Sequence, residues 1–263
     1  MENFYTLGID VGSTASKCVI LNHGKDIVSK SLINVGAGTT GPERAIKEVL
    51  ENINVTLEDM KYILATGYGR NSLEDIAFKQ MSELSCHAKG AYFLFPNVKS
   101  VIDIGGQDAK VLKIGANGML QNFVMNDKCA AGTGRFLDVM AKVLEIDIND
   151  MGVLHDLSTD RASISSTCTV FAESEVISQL SKKTKKEDII AGIHFSVAKR
   201  VSGLSNRVGL EDDVVMTGGV ARNTGIVKAL EEATGFKLHV SDLSQYNGAI
   251  GAALFAYEKA IKS

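Results

Sequence analysis

Three glycine-rich segments contain the residues best suited to bind phosphate. The first runs from Gly8 to Thr14 and places Asp10 at the end of an apolar run. Gly12 lets the backbone come close to an anion, so that the N–H groups and hydroxyls of Ser13 and Thr14 reach phosphate oxygens. A carboxylate at the end of a buried strand is costly unless a metal ion or solvent reaches it. We therefore expect Asp10 to hold a cation beside the phosphates.

Two further segments repeat this pattern later in the chain. Asp103 to Asp108 reads Asp-Ile-Gly-Gly-Gln-Asp, and Met216 to Asn223 places Gly218 and Gly219 between a strand and a helix. The missing side chains of these two glycines leave a flat surface on which a planar base can lie. A glycine pair after a strand is more often a plain tight turn, so the order and spacing of the three segments carry the prediction. The sequence lacks a Gly-x-x-x-x-Gly-Lys-Ser/Thr phosphate loop.

Two of the four cysteines have the surroundings of reactive thiols. Cys129 and Cys168 each precede a predicted helix, whose N-terminal N–H groups favour a thiolate. Cys18 and Cys86 lie within a predicted strand and a helical stretch, where small core residues are expected. Two thiolates cannot complete a cluster site that takes four. The residues alone leave open a symmetric homodimer that pools its cysteines and a pair of inert thiols.

Apolar runs and helical periodicity place these residues on regular elements. The predicted strands are 4–9, 15–21, 27–33, 62–66, 98–104, 110–114, 120–125, 213–217 and 237–240. The predicted helices are 42–51, 135–144, 170–181, 187–208, 223–234 and 246–261. Two meanders, each opening with a strand that runs into Asp and Gly, indicate an internal duplication. We expect the closing helix to pack on the first half.

Composition narrows the class of protein. The 263 residues carry a net charge of −3, which argues against a nucleic-acid partner because such a partner needs a basic face. Apolar stretches stay well short of the ~20 residues that span a bilayer, and a signal-peptide pattern is absent. Four widely spaced cysteines are too few for a disulfide scaffold. We therefore expect a cytoplasmic protein that acts without a membrane or a nucleic acid.

The order strand–Asp–Gly–Ser/Thr, strand–Asp–Gly–Gly and strand–Thr–Gly–Gly resembles the actin-like ATPase superfamily. That resemblance spans nearly the whole chain and implies an α/β fold of two RNase H-like lobes with Mg-ATP in the cleft between them. The first lobe is expected to comprise residues 1–97 and 246–263. The second is expected to comprise residues 98–245 and to carry both cluster cysteines.

Segments 126–136 and 162–180, together with the three phosphate motifs, resemble the activator component of 2-hydroxyacyl-CoA dehydratases. The resemblance implies a homodimer with one bridging 4Fe-4S cluster, held by Cys129 and Cys168 of each chain. It also implies one ATP per subunit and a role as one-electron donor to the dehydratase component. Ferredoxin or flavodoxin is the electron donor that it implies for the activator itself.

The nucleotide site follows from these segments. Asp10 and Asp103 are predicted to hold Mg²⁺ through water, and Gln107 or Asp108 is predicted to orient the attacking water. The predicted ATP-binding residues are Gly12, Ser13, Thr14, Ala15, Ser16, Lys17, Gly106, Asp108, Gly218, Gly219, Asn223 and Gln245.

Two other functions remain open at this point. A small-molecule kinase of the same fold, for instance one acting on a sugar, would need no cluster and would use Asp108 or Asp127 as the base for its acceptor hydroxyl. A non-enzymatic nucleotide switch or filament module is the second alternative. Iron content separates both from the activator.

Overall fold

The computed structural model describes residues 3–165 and 168–262. Residues 1–2 and 263 of the predicted first lobe, and Ser166 and Thr167 of the predicted cysteine motif, lie outside the described residues. The strands are β1 (Tyr5–Val11), β2 (Ser16–Asn22), β3 (Asp26–Ile33), β4 (Met60–Thr66), β5 (Lys79–Gln80), β6 (Ser100–Ile104), β7 (Ala109–Ile114), β8 (Leu120–Asn126), β9 (Val214–Thr217) and β10 (Leu238–Val240).

Helices alternate with these strands along the chain. They are α1 (Gly41–Glu51), α2 (Glu83–Leu94), α3 (Gly134–Leu144), α4 (Met151–His155), α5 (Thr169–Ser181), α6 (Lys186–Val208), α7 (Thr224–Thr234) and α8 (Asn247–Ala260). All six predicted helices are confirmed to within one residue at each end. The sequence predicts α2 only as a helical stretch around Cys86, without bounds. It does not predict the short α4 and β5, because so few residues show no periodicity.

The first sheet has the strand order β3-β2-β1-β4-β5. Its central strand, β1, pairs antiparallel with β2 and parallel with β4. All residues of β1 from Thr6 to Val11 are buried. A central strand covered on both faces favours such a continuous run of apolar and small residues, rather than an alternation of apolar and polar ones.

The second sheet is built in the same way, with the order β8-β7-β6-β9-β10. Here β6 pairs antiparallel with β7 and parallel with β9, as β1 does with β2 and β4. The strands next in order, β5 and β10, are both parallel to their neighbours. This shared topology confirms the internal duplication that the sequence indicates.

The chain divides into two compact units. The second comprises Val98–Lys113 and Asn122–Ser244, and the remaining residues form the first, including the hairpin tip Ile114–Gln121 between β7 and β8. Each unit has its own apolar core. The core of the first surrounds β1 and α1, and the core of the second surrounds β6, α3 and α6.

The closing helix α8 packs on the first sheet, as expected. Thr6 Oγ1 donates to the carbonyl oxygen of Ala253 at 3.1 Å. A Cβ atom at Gly8 would lie 2.1 Å from the carbonyl oxygen of Ala249, so this crossing requires a glycine. Among the described residues, every helix is too short or too polar to cross a membrane.

Candidate nucleotide and thiol sites

The turn that follows β1 is closed by its own backbone. Gly12 N donates to Ala15 O at 2.9 Å, and Ala37 N donates to Gly12 O at 2.9 Å. Ser13 and Thr14 lie at the tip of the turn, where Ser13 is half-buried and Thr14 is exposed. The turn therefore presents consecutive N–H and hydroxyl groups from a fixed backbone, an arrangement that suits an oxyanion.

Asp10, at the end of β1, is compensated by a lysine on the neighbouring strand. Its Oδ2 lies 3.1 Å from Lys17 Nζ, and Asp10 is only 4% exposed. The two residues are register partners across β1 and β2. Lys17 thus offsets the cost of burying this carboxylate, although the sequence had assigned it only to phosphate.

Ser16 differs from the other predicted residues of this turn. Its side chain is fully buried at the start of β2, and its hydroxyl donates to Val35 O at 2.9 Å. The hydroxyl therefore ties β2 to the segment before α1, and its position favours a structural role over a contact with phosphate.

The corresponding carboxylate of the second unit, Asp103, belongs to a buried cluster of four side chains. Lys110 Nζ lies 3.1 Å from Asp103 Oδ2 and 2.6 Å from Asp108 Oδ2. Thr217 Oγ1 donates to Asp103 Oδ1 at 2.7 Å. Asp103 and Lys110 are 2% and 3% exposed. Lys110 therefore bridges the predicted magnesium residue and the predicted water-orienting residue.

These clusters show the duplication at the level of single side chains. Asp10 pairs with Lys17 across β1 and β2, and Asp103 pairs with Lys110 in the same way across β6 and β7. Each lysine follows its aspartate by seven residues. Sequence reasoning missed Lys110, although this repeated spacing was the signal that could have found it.

The glycine turn after β6 is bonded to the start of α3. Gly105 N donates to Asp108 O at 2.9 Å, which closes the turn. The carbonyl oxygens of Gly105 and Gly106 accept hydrogen bonds from the backbone N–H groups of Gly134 and Arg135, at 2.9 and 2.8 Å. Gln107 is exposed at the tip of the turn. Any displacement of this turn therefore acts directly on the first residues of α3.

The third glycine segment forms a left-handed turn and a short 3-10 helix. Gly218 has a φ of +87°, and a Cβ atom there would lie 2.3 Å from Ile104 O. Gly219 begins the 3-10 helix Gly219–Arg222, and Asn223 is its C-cap residue. The Asn223 side chain caps α7, because its Oδ1 accepts from Ile226 N at 3.1 Å. Asn223 thus joins the turn to the helix.

The predicted ATP-binding residues fall into one group in each unit. In the first unit the turn 12–17 is assembled next to Asp10, and Gln245 lies in the 3-10 helix Ser244–Tyr246 directly before α8. In the second unit the structure brings together the 105–108 turn, Asp103 and the end of β9 at Thr217.

Cys18 and Cys86 are core residues, as predicted. Both are fully buried. Burial raises the pKa of the Cys86 thiol to about 12 and moves the pKa of the Cys18 thiol further still in the same direction. Both groups therefore remain neutral thiols at physiological pH, and neither is suited to bind a metal cluster.

The two remaining cysteines are accessible, but their local settings differ. Cys168 is exposed and is the N-cap residue of α5, as predicted. Cys129 is half-buried in the loop that leads into α3, as predicted, but the N-cap of this helix is Thr133, so the Cys129 thiol is not at the helix terminus itself. Instead, Arg200 Nη2 of α6 donates to Cys129 Sγ at 3.5 Å. A guanidinium thus takes the place of the expected helix terminus beside this sulfur.

A protein-family model for ATPases matches residues 7–256, which is nearly the whole chain. The chain belongs to the BadF/BadG/BcrA/BcrD ATPase family. This membership confirms the prediction of an ATPase.

Two known proteins are similar to the chain over almost its full length. The (R)-2-hydroxyglutaryl-CoA dehydratase activating ATPase of Acidaminococcus fermentans is 68% identical, over 99% of this chain and 100% of the relative. The solved structure of the activator of the 2-hydroxyisocaproyl-CoA dehydratase from Clostridium difficile, with bound ADPNP, has a TM-score of 0.96 at 56% identity and covers 98% of this chain and 96% of its own.

A more distant structure shows the breadth of the fold. The ROK family glucokinase of Streptomyces griseus has a TM-score of 0.61 at 12% identity, covering 97% of this chain and 99% of its own. At that identity the likeness concerns the fold alone. Together with the two matching sheets, these similarities confirm the predicted α/β fold of two similarly built halves.

The thiols of this family member match half of a cluster site. Each chain offers two accessible cysteines, Cys129 and Cys168, while the other two are buried in the core. A 4Fe-4S cluster takes four thiolates. Within residues 3–165 and 168–262, His, Cys, Asp and Glu side chains form no group of three or more that could hold a metal ion. Cys129 and Cys168 have the right chemistry for such a cluster and are half of the thiolates that it takes.

Proposed function

We propose that this protein is an ATP-dependent activator of a 2-hydroxyacyl-CoA dehydratase, which couples ATP hydrolysis to the transfer of one low-potential electron to the dehydratase component. The observation that carries the proposal is the 68% identity, over 99% of the chain, to an activating ATPase of such a dehydratase. The two accessible thiols support it from the structure.

ATP is bound, in this proposal, through the turns that the sequence singled out. Gly12 closes the turn and lets the backbone approach the phosphates, while the N–H groups of Ser13, Thr14 and Ala15, with that of Gly106, contact phosphate oxygens. Gly218, Gly219, Asn223 and Gln245 border the nucleoside. Lys17 exchanges its bond with Asp10 for a phosphate oxygen, since a lysine ammonium on a flexible stem reaches either partner.

Magnesium is assigned to Asp10 in preference to Asp103. Mg²⁺ keeps several waters and is usually held by one or two carboxylates together with substrate phosphates. Both oxygens of Asp103 already accept hydrogen bonds, from Lys110 and Thr217. Asp10 is paired with Lys17, and its carboxylate becomes available to the metal ion when that lysine turns to phosphate. Asp108, held by Lys110, orients the attacking water, and Gln107 is the second candidate for that role.

The cluster is assigned to Cys129 and Cys168 of two identical chains, which makes the functional unit a homodimer. When bound, a 4Fe-4S cluster supplies one-electron transfer at low potential. Within one chain, Arg200 donates a hydrogen bond to Cys129, and Cys168 begins α5. Hydrogen bonds to cysteine sulfur and nearby positive charge are the means by which a protein adjusts the reduction potential of such a cluster.

A backbone connection links the nucleotide turn to the cysteine segment. The carbonyl groups of the 105–106 turn hold the first N–H groups of α3, and the loop leading into α3 carries Cys129. A shift of the turn on nucleotide binding therefore moves this loop. In the cell, ferredoxin or flavodoxin supplies the electron, the dehydratase component receives it, and the setting is the cytoplasm.

Anaerobic purification followed by iron and sulfide analysis tests this function. We expect a brown protein with about two irons per chain, because four are shared by two subunits. Cys129→Ser and Cys168→Ser should each lose the iron and the colour while the circular dichroism spectrum is kept. Cys18→Ala and Cys86→Ala are the matched controls, since both alter cysteines of the core.

The controls should retain iron, even though a buried cysteine truncated to alanine leaves a small cavity and lowers stability. Full iron in both the Cys129 and the Cys168 variants would contradict the ligand assignment. An iron-free wild-type protein that transfers phosphate from ATP to a sugar would instead favour the kinase.

A further inference from the structure

Two histidines that the proposed function does not use form a row of hydrogen-bonded side chains with an asparagine in the second unit. His194 lies in the middle of α6 and is fully buried, and His155 ends α4. Their rings are stacked, with centroids 5.1 Å apart and planes inclined by 27°. The third member is Asn223, which joins the 218–222 turn to α7.

In this row of three side chains, each hydrogen bond is donated in the same direction, from Asn223 to His194 and from His194 to His155. Asn223 Oδ1 accepts from Ile226 N at 3.1 Å, so its Nδ2 faces the histidines and donates. The distance from Asn223 Nδ2 to His194 Nε2 is 3.2 Å. An amide nitrogen can only donate, so His194 Nε2 must be the unprotonated, accepting nitrogen.

The same logic sets the protonation of both rings. His194 then carries its proton on Nδ1, which lies 3.1 Å from His155 Nδ1. His155 Nδ1 has to accept, and His155 keeps its proton on Nε2. Only two neutral imidazoles satisfy every contact. A proton added at either accepting nitrogen would set two donors against each other.

Glycines allow the backbones to close around the histidines. A Cβ atom at Gly225 would lie 2.6 Å from His194 Nδ1 and 2.7 Å from His155 Cβ. A Cβ atom at Gly152 would lie 2.9 Å from Thr224 Oγ1. The helices α4, α6 and α7 therefore meet at the histidine pair without room for a rearranged side chain.

We propose that His194, held in one tautomer by His155, is a positioning residue for the nucleotide-binding turn 218–222, and that this turn is set for ATP only while both histidines are neutral. The proposal rests on the assignment of Gly218, Gly219 and Asn223 to ATP. The turn is already fixed at its other end, where Thr217 donates to Asp103. Asn223 fixes its exit, by capping α7 and contacting His194.

The charges around the pair determine when it becomes protonated. Burial is the main cause that lowers the pKa of both rings, and it brings the pKa of His194 to about 3. His155 is also faced by Asp156 and Glu232, which raise its pKa, and by Lys228 and Arg161, which lower it. Besides burial, the neighbouring His155 lowers the pKa of His194.

Both folded-state pKa values lie below the usual histidine value, so the neutral pair stabilises the fold fully above about pH 6.5. This stabilisation is lost as the pH falls through the folded values. His155 has the more accessible ring, and we expect it to be the first of the two to gain a proton.

Two substitutions at His194 separate the effect of its hydrogen bond to Asn223 from the effect of a smaller side chain. In His194→Gln the amide oxygen can occupy the place of Nε2 and accept from Asn223, whereas in His194→Asn the amide lies near the place of Nδ1 and that contact is lost. We expect His194→Asn to bind ADP ~5- to 30-fold more weakly at pH 8, the effect of leaving one buried hydrogen-bond donor, Asn223 Nδ2, without its acceptor. His194→Gln should restore most of the affinity. Calorimetric titration of anaerobically prepared full-length protein with Mg-ADP measures this.

A pH series on His155→Asn provides an independent test. Asparagine keeps an acceptor near the place of Nδ1 but does not titrate. Wild-type affinity for ADP should fall between pH 8 and pH 5 more steeply than the affinity of His155→Asn, and the ratio of the two should change with pH. Parallel pH profiles would overturn the proposal, even if the His194 variants proved too unstable to measure.

Asn223→Ala distinguishes a failure of this inference from a failure of the nucleotide assignment. If Asn223→Ala weakens ADP binding and His194→Asn does not, the positioning role of His194 is wrong and the assignment of this turn to ATP stands. If Asn223→Ala binds ADP as the wild type does, the assignment of this turn to ATP is wrong, and the positioning role of His194 is wrong with it.

Discussion

At the residue scale, the two units solve the same electrostatic problem with the same pair of side chains. A buried aspartate ends the first strand of each sheet, and a lysine seven residues later neutralises it from the adjacent strand. In the second unit the lysine also holds Asp108, the residue proposed to orient water. Removing one member of such a buried group leaves an uncompensated charge, which costs more than the pair itself contributes.

Lys110→Met is therefore expected to reduce the free energy of unfolding by ~3–5 kcal/mol and to slow ATP hydrolysis by ~100-fold, since Asp108 loses its anchor. Lys113→Met is the matched control, because Lys113 lies on the same strand and pairs with Glu211 in a partly exposed bridge. That change should cost less than ~1 kcal/mol. Guanidinium denaturation and a phosphate-release assay give both quantities. Equal losses in the two variants would refute the bridging role of Lys110.

At the element scale, glycines set how closely helices and strands approach. In the first unit α2 and α8 cross in backbone contact: a Cβ atom at Gly251 would lie 1.8 Å from Cys86 O, and one at Gly90 would lie 2.1 Å from Asn247 O. The burial of Cys86 follows from this crossing. Because α8 also covers β1, the crossing supports the strand that ends in Asp10.

Gly251→Ala should force α2 and α8 apart and reduce the free energy of unfolding by ~1–3 kcal/mol, the usual cost of overpacking. Gly203→Ala is its control. Gly203 is an exposed residue inside α6, and a Cβ atom there meets nothing within 4 Å. Alanine has the higher helix propensity, so that variant should gain ~1 kcal/mol. Thermal denaturation distinguishes the two. An unchanged midpoint for Gly251→Ala would mean that the crossing readily adjusts.

At the scale of the whole molecule, the proposed activity needs more than one chain. Two accessible thiols per chain are half of a four-thiolate site. A cluster that binds only to two subunits together stabilises the dimer, because the bound state includes both chains.

Removal of iron from the anaerobic protein with a chelator is therefore expected to shift its mass from twice the 28.1 kDa of one chain toward the monomer. Light scattering after size exclusion measures this, and Cys168→Ser should behave like the chelated wild type. Cys86→Ala is the control: prepared in the same way but not chelated, it should run as the dimer. A wild-type protein that keeps iron as a monomer would refute a shared site.

Local sequence determined most of the elements and the three glycine-rich turns. Periodicity is a property of consecutive residues, and glycines after strands mark tight turns wherever they occur. The buried cysteines could be predicted for the same reason, since Cys18 and Cys86 lie within regular apolar elements.

Only the tertiary structure decided which polar side chains meet. Thr217 and Asp103 are 114 residues apart, Arg200 and Cys129 are 71 apart, and His155 and His194 are 39 apart. Such contacts depend on sheet register and on helix packing, which bring distant residues together and leave no mark on the neighbouring sequence. Cys129 lies beside a guanidinium rather than at a helix terminus because α6 passes that loop, and the position of α6 is set by the core of the whole unit.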